Sequence, residues 1–120
     1  MLDKKDIGKR TYDFSLENIK LVSKMSSNLV NKILSSQLLR SSTSIGANII
    51  EARSSSSRRE FTKYYTISLR SANESIYWLS LIKDAKLVEL QLLDNLLDEC
   101  KQLAKILAAS LIKLKERNKL

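Results

Sequence analysis

Not one proline interrupts this chain of 120 residues, and glycine occurs only twice, as Gly8 and Gly46. Tight β-hairpin turns need residues that tolerate positive φ, and those are nearly absent here. An antiparallel β protein is therefore excluded in practice. Leu, Ile, Lys, Ser and Glu dominate instead, and long helices are built readily from them. The chain is one ordinary domain in length. With 43% hydrophobic and 28% charged residues it has the balance of a globular protein that buries a core without disulfides.

The apolar periodicity divides the chain into helices. Residues 1–13 read as a loose polar segment. From Phe14 a stripe runs through Leu16, Ile19, Val22, Met25, Leu29 and Ile33 at steps of three and four, with a turn at Ser35-Ser36. A shorter helix over 37–53 follows, facing inward through Leu38, Ser42, Ile45, Ile49 and Ala52. Gly46 in its middle weakens it by about 1 kcal/mol relative to alanine, which points to a close helix contact there. The serine run 54–57 is the clearest linker. Ser57-Arg58-Arg59-Glu60 has the form of a capping box that opens a third helix reaching to about residue 86. Its stripe is Phe61, Tyr64/Tyr65, Ser68, Ala72, Ile76, Leu79 and Ile82, and its middle is lined by the small residues Ser68, Ser71, Ala72 and Ser75, which suit close helix packing. No strong breaker marks residues 86–88. The last segment, 89–117, carries a heptad seam of Leu93, Leu96, Cys100, Leu103, Leu107, Ser110 and Leu114. The expected architecture is an all-α, up-and-down antiparallel four-helix bundle.

Several classes of chemistry have no materials. Histidine is absent, so a His-based triad, a His general base and a Cys/His metal site cannot be assembled. Cys100 is the only cysteine and sits among leucines as a small hydrophobe. No phosphate-binding glycine motif is present. The reading is non-enzymatic, with no catalytic residues, no metal and no cofactor. No stretch approaches about 18 uninterrupted apolar residues, so no membrane partner is expected, and the N-terminus lacks a signal-like apolar core, which points to the cytoplasm.

The net charge of +8 and pI near 9.7 suit a polyanionic partner. The excess is spread, +5 over residues 1–60 and +3 over 61–120. Arg53, Arg58, Arg59, Lys63 and Arg70 cluster around the serine loop and the third helix, beside Tyr64 and Tyr65, which are suited to stack on bases. These five are the candidate nucleic-acid contacts. Glu51 and Glu74 lie near small residues expected to face inward. With Asn48 and Arg40 they form a candidate structural polar network. Leu92, Leu97, Leu111, Ile112 and Tyr77 exceed what one bundle seam needs and suggest a self-association surface.

From Arg40 onward the order of residues is distinctive: Arg40, Ser44-Ile45, Asn48-Ile49 and Glu51, then Glu60-Phe61, then Ile67, Ser71 and Glu74. This resembles the bacterial four-helix-bundle family of proteins encoded in intervening sequences of 23S rRNA genes, related to the accessory variability determinant of diversity-generating retroelements. The chain departs from that pattern at Ala52, Ser68 and Arg70. The resemblance implies a homopentamer with a central channel, an RNA or DNA partner and, in one branch, a reverse transcriptase. The function expected is thus a homo-oligomeric nucleic-acid-binding accessory protein. The alternative is a helical protein–protein scaffold whose charge serves solubility.

Overall fold

The computed structural model describes residues 7–118 and shows four helices in up-and-down order: α1 (Ile7–Ser23), α2 (Leu29–Arg53), α3 (Arg58–Asp84) and α4 (Gln91–Asn118). Each helix packs on its chain neighbours and α4 closes the bundle against α1, giving an elongated body of 51 × 28 × 21 Å. The all-α expectation holds. Residues 1–6 of the segment read as loose lie outside the described residues. Residues 7–13 are helical, because Ile7, Thr11 and Phe14 continue a buried stripe through Asn18 and Leu21.

That stripe only partly matches the one periodicity selects: Phe14 is buried and Val22 and Met25 pack on the core. Leu16 is 42% exposed and Ile19 46%, while Thr11 and Asn18 are fully buried. Each bonds its own helix: Thr11 Oγ1 donates to the Ile7 carbonyl at 2.8 Å, and Asn18 Nδ2 to the Phe14 carbonyl at 2.8 Å, while Asn18 Oδ1 is buried without a partner among the described residues. A buried polar group costs little once it is hydrogen-bonded.

The first reversal also falls elsewhere. It spans residues 24–28, not Ser35-Ser36, which lie inside α2. Asn28 caps α2 by accepting from the Asn31 amide at 2.9 Å, and Asn31 Nδ2 ties back to the Ser26 carbonyl at 2.9 Å. An Asn cap with a second Asn bracing the loop is the stronger signal. Leu29 and Ile33, expected in the core, are exposed on the first turns of α2.

The α3 start and end are local devices. Ser57 Oγ accepts from the Glu60 amide at 3.1 Å, half of the expected capping box; among the described residues the return bond from Glu60 is not made. At the far end the Lys86 amide donates to Lys83 and the Leu87 amide to Ile82, with Lys86 at φ 55°. This is a Schellman turn with lysine where glycine is usual. It explains why the reversal has no breaker in the sequence.

The core consists mainly of leucines and isoleucines from all four helices, with Phe14 from α1, and Leu93, Leu96, Cys100, Leu103 and Leu107 of the α4 seam are buried as expected. The α2–α3 seam differs, being lined by small hydroxyl side chains. Ser41 and Ser75 share a hydrogen bond at 2.9 Å, Ser44 and Ser71 one at 2.8 Å, and Ser68 donates to the Ile45 carbonyl at 2.8 Å. Gly46 makes the close contact foreseen for it. A Cβ there would stand 3.2 Å from Thr11 Oγ1 and 3.4 Å from the Thr11 backbone.

Candidate nucleic-acid interface at one end of the bundle

The antiparallel order brings the start of α1, the end of α2, the 54–57 loop, the start of α3 and the end of α4 to one end of the molecule. The serine loop is fastened locally, with Ser54 bonded to Ile50 and Ser55 Oγ donating to the Ala52 carbonyl. Arg53 leaves α2 at this end, with its guanidinium lying over Gly8 of α1. Arg53 and Arg58 line a cleft of about 380 Å³ together with Ser55, Ser56, Ser57, Phe61 and Leu114. Directly beside it lies a second cleft of about 200 Å³, bounded by Phe61, Tyr65, Ser110, Lys113, Leu114 and Arg117. Phe61 and Leu114 belong to both.

The wall between the clefts is aromatic. Phe61 and Tyr65, one turn apart on α3, stack at 4.7 Å between centroids and 21° between planes. Burial pushes the Tyr65 hydroxyl above its ordinary pKa, partly opposed by the nearby Arg53 charge. The first amides of α3 add a partial positive charge to the larger cleft. Among the described residues, none of Arg53, Arg58, Lys113 and Arg117 is ion-paired. Elsewhere on the molecule carboxylates neutralise their neighbours: Asp13 holds Lys9, Glu17 holds Lys20 and Asp94 holds Lys83.

The five cations singled out in the sequence do not form one patch. Arg53 and Arg58 face the clefts. Arg59, Lys63 and Arg70, spaced by four and seven, occupy the exposed outer face of α3, where Lys63 Nζ sits 5.6 Å from the Tyr64 ring centroid. Sequence reasoning missed Lys113 and Arg117. They stand one helical turn apart on α4, but some fifty residues of chain separate them from Arg58, and only the antiparallel return sets them beside it.

The expected polar network also divides. Arg40 and Glu74 do pair across α2 and α3, and Glu74 Oε2 accepts from Trp78 Nε1 at 2.8 Å. The pair is half-exposed, not buried, with Arg40 at 57% and Glu74 at 35% side-chain exposure. These donors hold the Glu74 carboxyl below its ordinary pKa, the Trp78 bond foremost, against a smaller opposing effect of burial. Asn48 instead braces the serine seam, donating to the Ser44 carbonyl at 2.8 Å and Ser44 Oγ at 3.0 Å. Glu51 is exposed and joins neither group, because Ile49 and Ala52 take the inward positions on that turn. Another ion pair, Arg10 with Glu99, spans α1 and α4 beside a groove of about 310 Å³ rimmed by Asp13, Glu17 and Glu99. That acidic rim is the wrong sign for a polyanion.

A family model described as 23S rRNA-intervening sequence protein matches residues 3–109. The chain belongs to this family. Its fold is also that of a solved relative, a protein of unknown function from the S23 ribosomal protein family of Bacteroides thetaiotaomicron. The two are 29% identical, with a TM-score of 0.79 over 92% of this chain and 98% of that one. No curated protein matches the chain. The 23S rRNA-intervening sequence resemblance read from Arg40 to Glu74 is therefore correct, and so is the four-helix architecture it implied. Among the described residues no helix is long and apolar enough to cross a membrane.

Proposed function

We propose that this 23S rRNA-intervening sequence protein is a cytoplasmic, non-catalytic nucleic-acid-binding bundle that engages RNA or DNA through the basic end described above. One observation carries the reading. Cations from three helices, Arg53, Arg58, Lys113 and Arg117, converge around an aromatic wall without carboxylate partners among the described residues. Unpaired cations held close together attract phosphates and release counterions on binding, which makes affinity steeply salt-dependent. The RNA connection in the family's name favours the same partner. The non-catalytic reading is supported by the lack of histidine and by the state of the single thiol. Cys100 is buried, and burial pushes its pKa up to about 12, so it carries no thiolate for nucleophilic work at neutral pH.

Self-association belongs to this proposal. The residues first suggested for it divide: Leu97 and Leu111 are buried within the chain and Leu92 packs on the core, whereas Tyr77 and Ile112 are exposed. A better surface is the α1 stripe of Tyr12, Leu16 and Ile19, exposed at steps of four and three. A pentamer, as the resemblance implies, would repeat the basic end around a ring and add weak contacts into useful avidity.

The test is to replace Arg58, Lys113 and Arg117 together with Gln and measure RNA and DNA binding at two salt concentrations. A single strand should lose about 2 from the slope of log K against log salt, at roughly 0.7 per phosphate contact. A parallel set, Arg59→Gln, Lys63→Gln and Arg70→Gln, measures the outer face of α3. If neither set changes affinity or slope, the protein-scaffold alternative replaces this reading.

A further inference from the structure

We infer that the strand received at this end is single, with a phosphate in the Arg53/Arg58 cleft and the adjoining base in the Tyr65/Lys113/Arg117 cleft; this rests on the nucleic-acid reading above and adds the form of the ligand. The two clefts are contiguous across Phe61 and Leu114, so a phosphate and the base next to it meet two differently built surfaces. The larger offers two guanidinium groups, serine hydroxyls and the start of α3, all suited to an anion. The smaller offers the exposed parts of a stacked Phe61–Tyr65 pair, Leu114, and two flanking cations. Together they fall in the size range of ligand pockets, roughly 300–1,000 Å³.

A duplex keeps its bases stacked inward and presents phosphates on a convex surface. It could touch the arginines but would leave the aromatic cleft empty. An unpaired base has a free π-face, and stacking on aromatic side chains is the usual way proteins hold one without reading sequence. Apolar lining at the centre of a cation cluster has no use for a phosphate, and this favours the single strand. The outer α3 cations, by contrast, lie on a convex helix face and would meet phosphates of any nucleic acid alike.

The decisive measurement uses the unaltered protein and three labelled oligonucleotides of one length and backbone: a single strand, the same strand made abasic, and the matched duplex. Fluorescence anisotropy should give about tenfold weaker binding to the abasic strand than to the strand with bases, which is the scale of stacking on an aromatic side chain. Phe61→Leu and Tyr65→Leu, checked for unchanged helicity by circular dichroism, should each weaken the single strand by about the same factor and leave the duplex unaffected, while Tyr65→Phe keeps parent affinity. Equal affinity for abasic and base-bearing strands overturns the inference, whether or not the variants fold. If that equality appears while the Arg58/Lys113/Arg117 replacement still weakens binding, the nucleic-acid reading stands and only the single-strand inference fails. If the cation replacement also changes nothing, both fail. Running the single strands as RNA and as DNA identifies which sugar the site accepts.

Discussion

Two of the seams in this bundle are built on opposite principles. Along α4 the seam is leucine, with Leu93, Leu96, Leu103 and Leu107 filling space at heptad spacing. Between α2 and α3 it is serine, with Ser41, Ser44, Ser68, Ser71 and Ser75 bonded across or along the interface. The first seam gains from removing large apolar surface from water. The second buries little apolar area per residue. Its small side chains let the helices approach closely, and every hydroxyl must find a partner. A volume-filled seam is sensitive to deletion, whereas a close-packed hydroxyl seam is sensitive to added bulk.

The largest expected effect tests the leucine seam. Leu103→Ala, at a fully buried position, should lower unfolding free energy by about 2–5 kcal/mol in a denaturant titration. A loss much below 1 kcal/mol would mean that the seam tolerates deletion and the contrast is false. Bulk at a close approach comes next. Gly46→Val, where α2 meets α1 beside the serine seam, would press on the Thr11 side chain and backbone and should cost about 1–3 kcal/mol by the same titration, despite removing a helix-weakening glycine. Deleting a hydroxyl should cost less. Ser41→Ala leaves Ser75 still bonded to the Ser71 carbonyl at 2.8 Å, so about 1 kcal/mol is expected.

The smallest effect lies at the rim of the serine seam. Glu74→Gln breaks a half-exposed pair and should cost about 0–1 kcal/mol. The sign of its pH dependence is fixed. Because the folded-state carboxyl is held below its ordinary pKa, its stabilisation is fully present above the unfolded-state value and is lost as pH falls through the lowered one. The parent and the Gln variant should therefore converge in acid, as read by thermal melts between neutral and acidic pH. A Glu74→Gln cost of 3 kcal/mol or more would instead mark a buried, uncompensated charge.

The same contrast governs what could be read in advance. The leucine seam was legible residue by residue, because six of its seven positions are large or sulfur-bearing side chains whose spacing names their face. The serine seam was half legible: small residues at 68, 71, 72 and 75 announced close packing, but not which hydroxyl meets which. On α1 the pattern misled. Leu16 and Ile19 looked like core, while Thr11 and Asn18, polar by composition, are the buried residues. Of the candidate site, Arg53 and Arg58 were identified, whereas Lys113 and Arg117 carried no sign of belonging with them.

What the sequence determined by itself is local. Helicity follows from the absence of proline and the scarcity of glycine, and the start of α3 follows from Ser57 and the Glu60 amide three residues away. These depend on groups within one turn of each other, so the chain carries them wherever it goes. Tertiary structure alone decided the rest. The inward face of α1 depends on what α2 and α4 offer it, and bonds from Thr11 and Asn18 to carbonyls of their own helix reduce the cost of burying them. The reversal at Lys86 depends on a left-handed residue that any sequence search would pass over. The basic end exists because an antiparallel bundle returns residue 117 to the neighbourhood of residue 58, and charges meet according to topology, not to their distance along the chain.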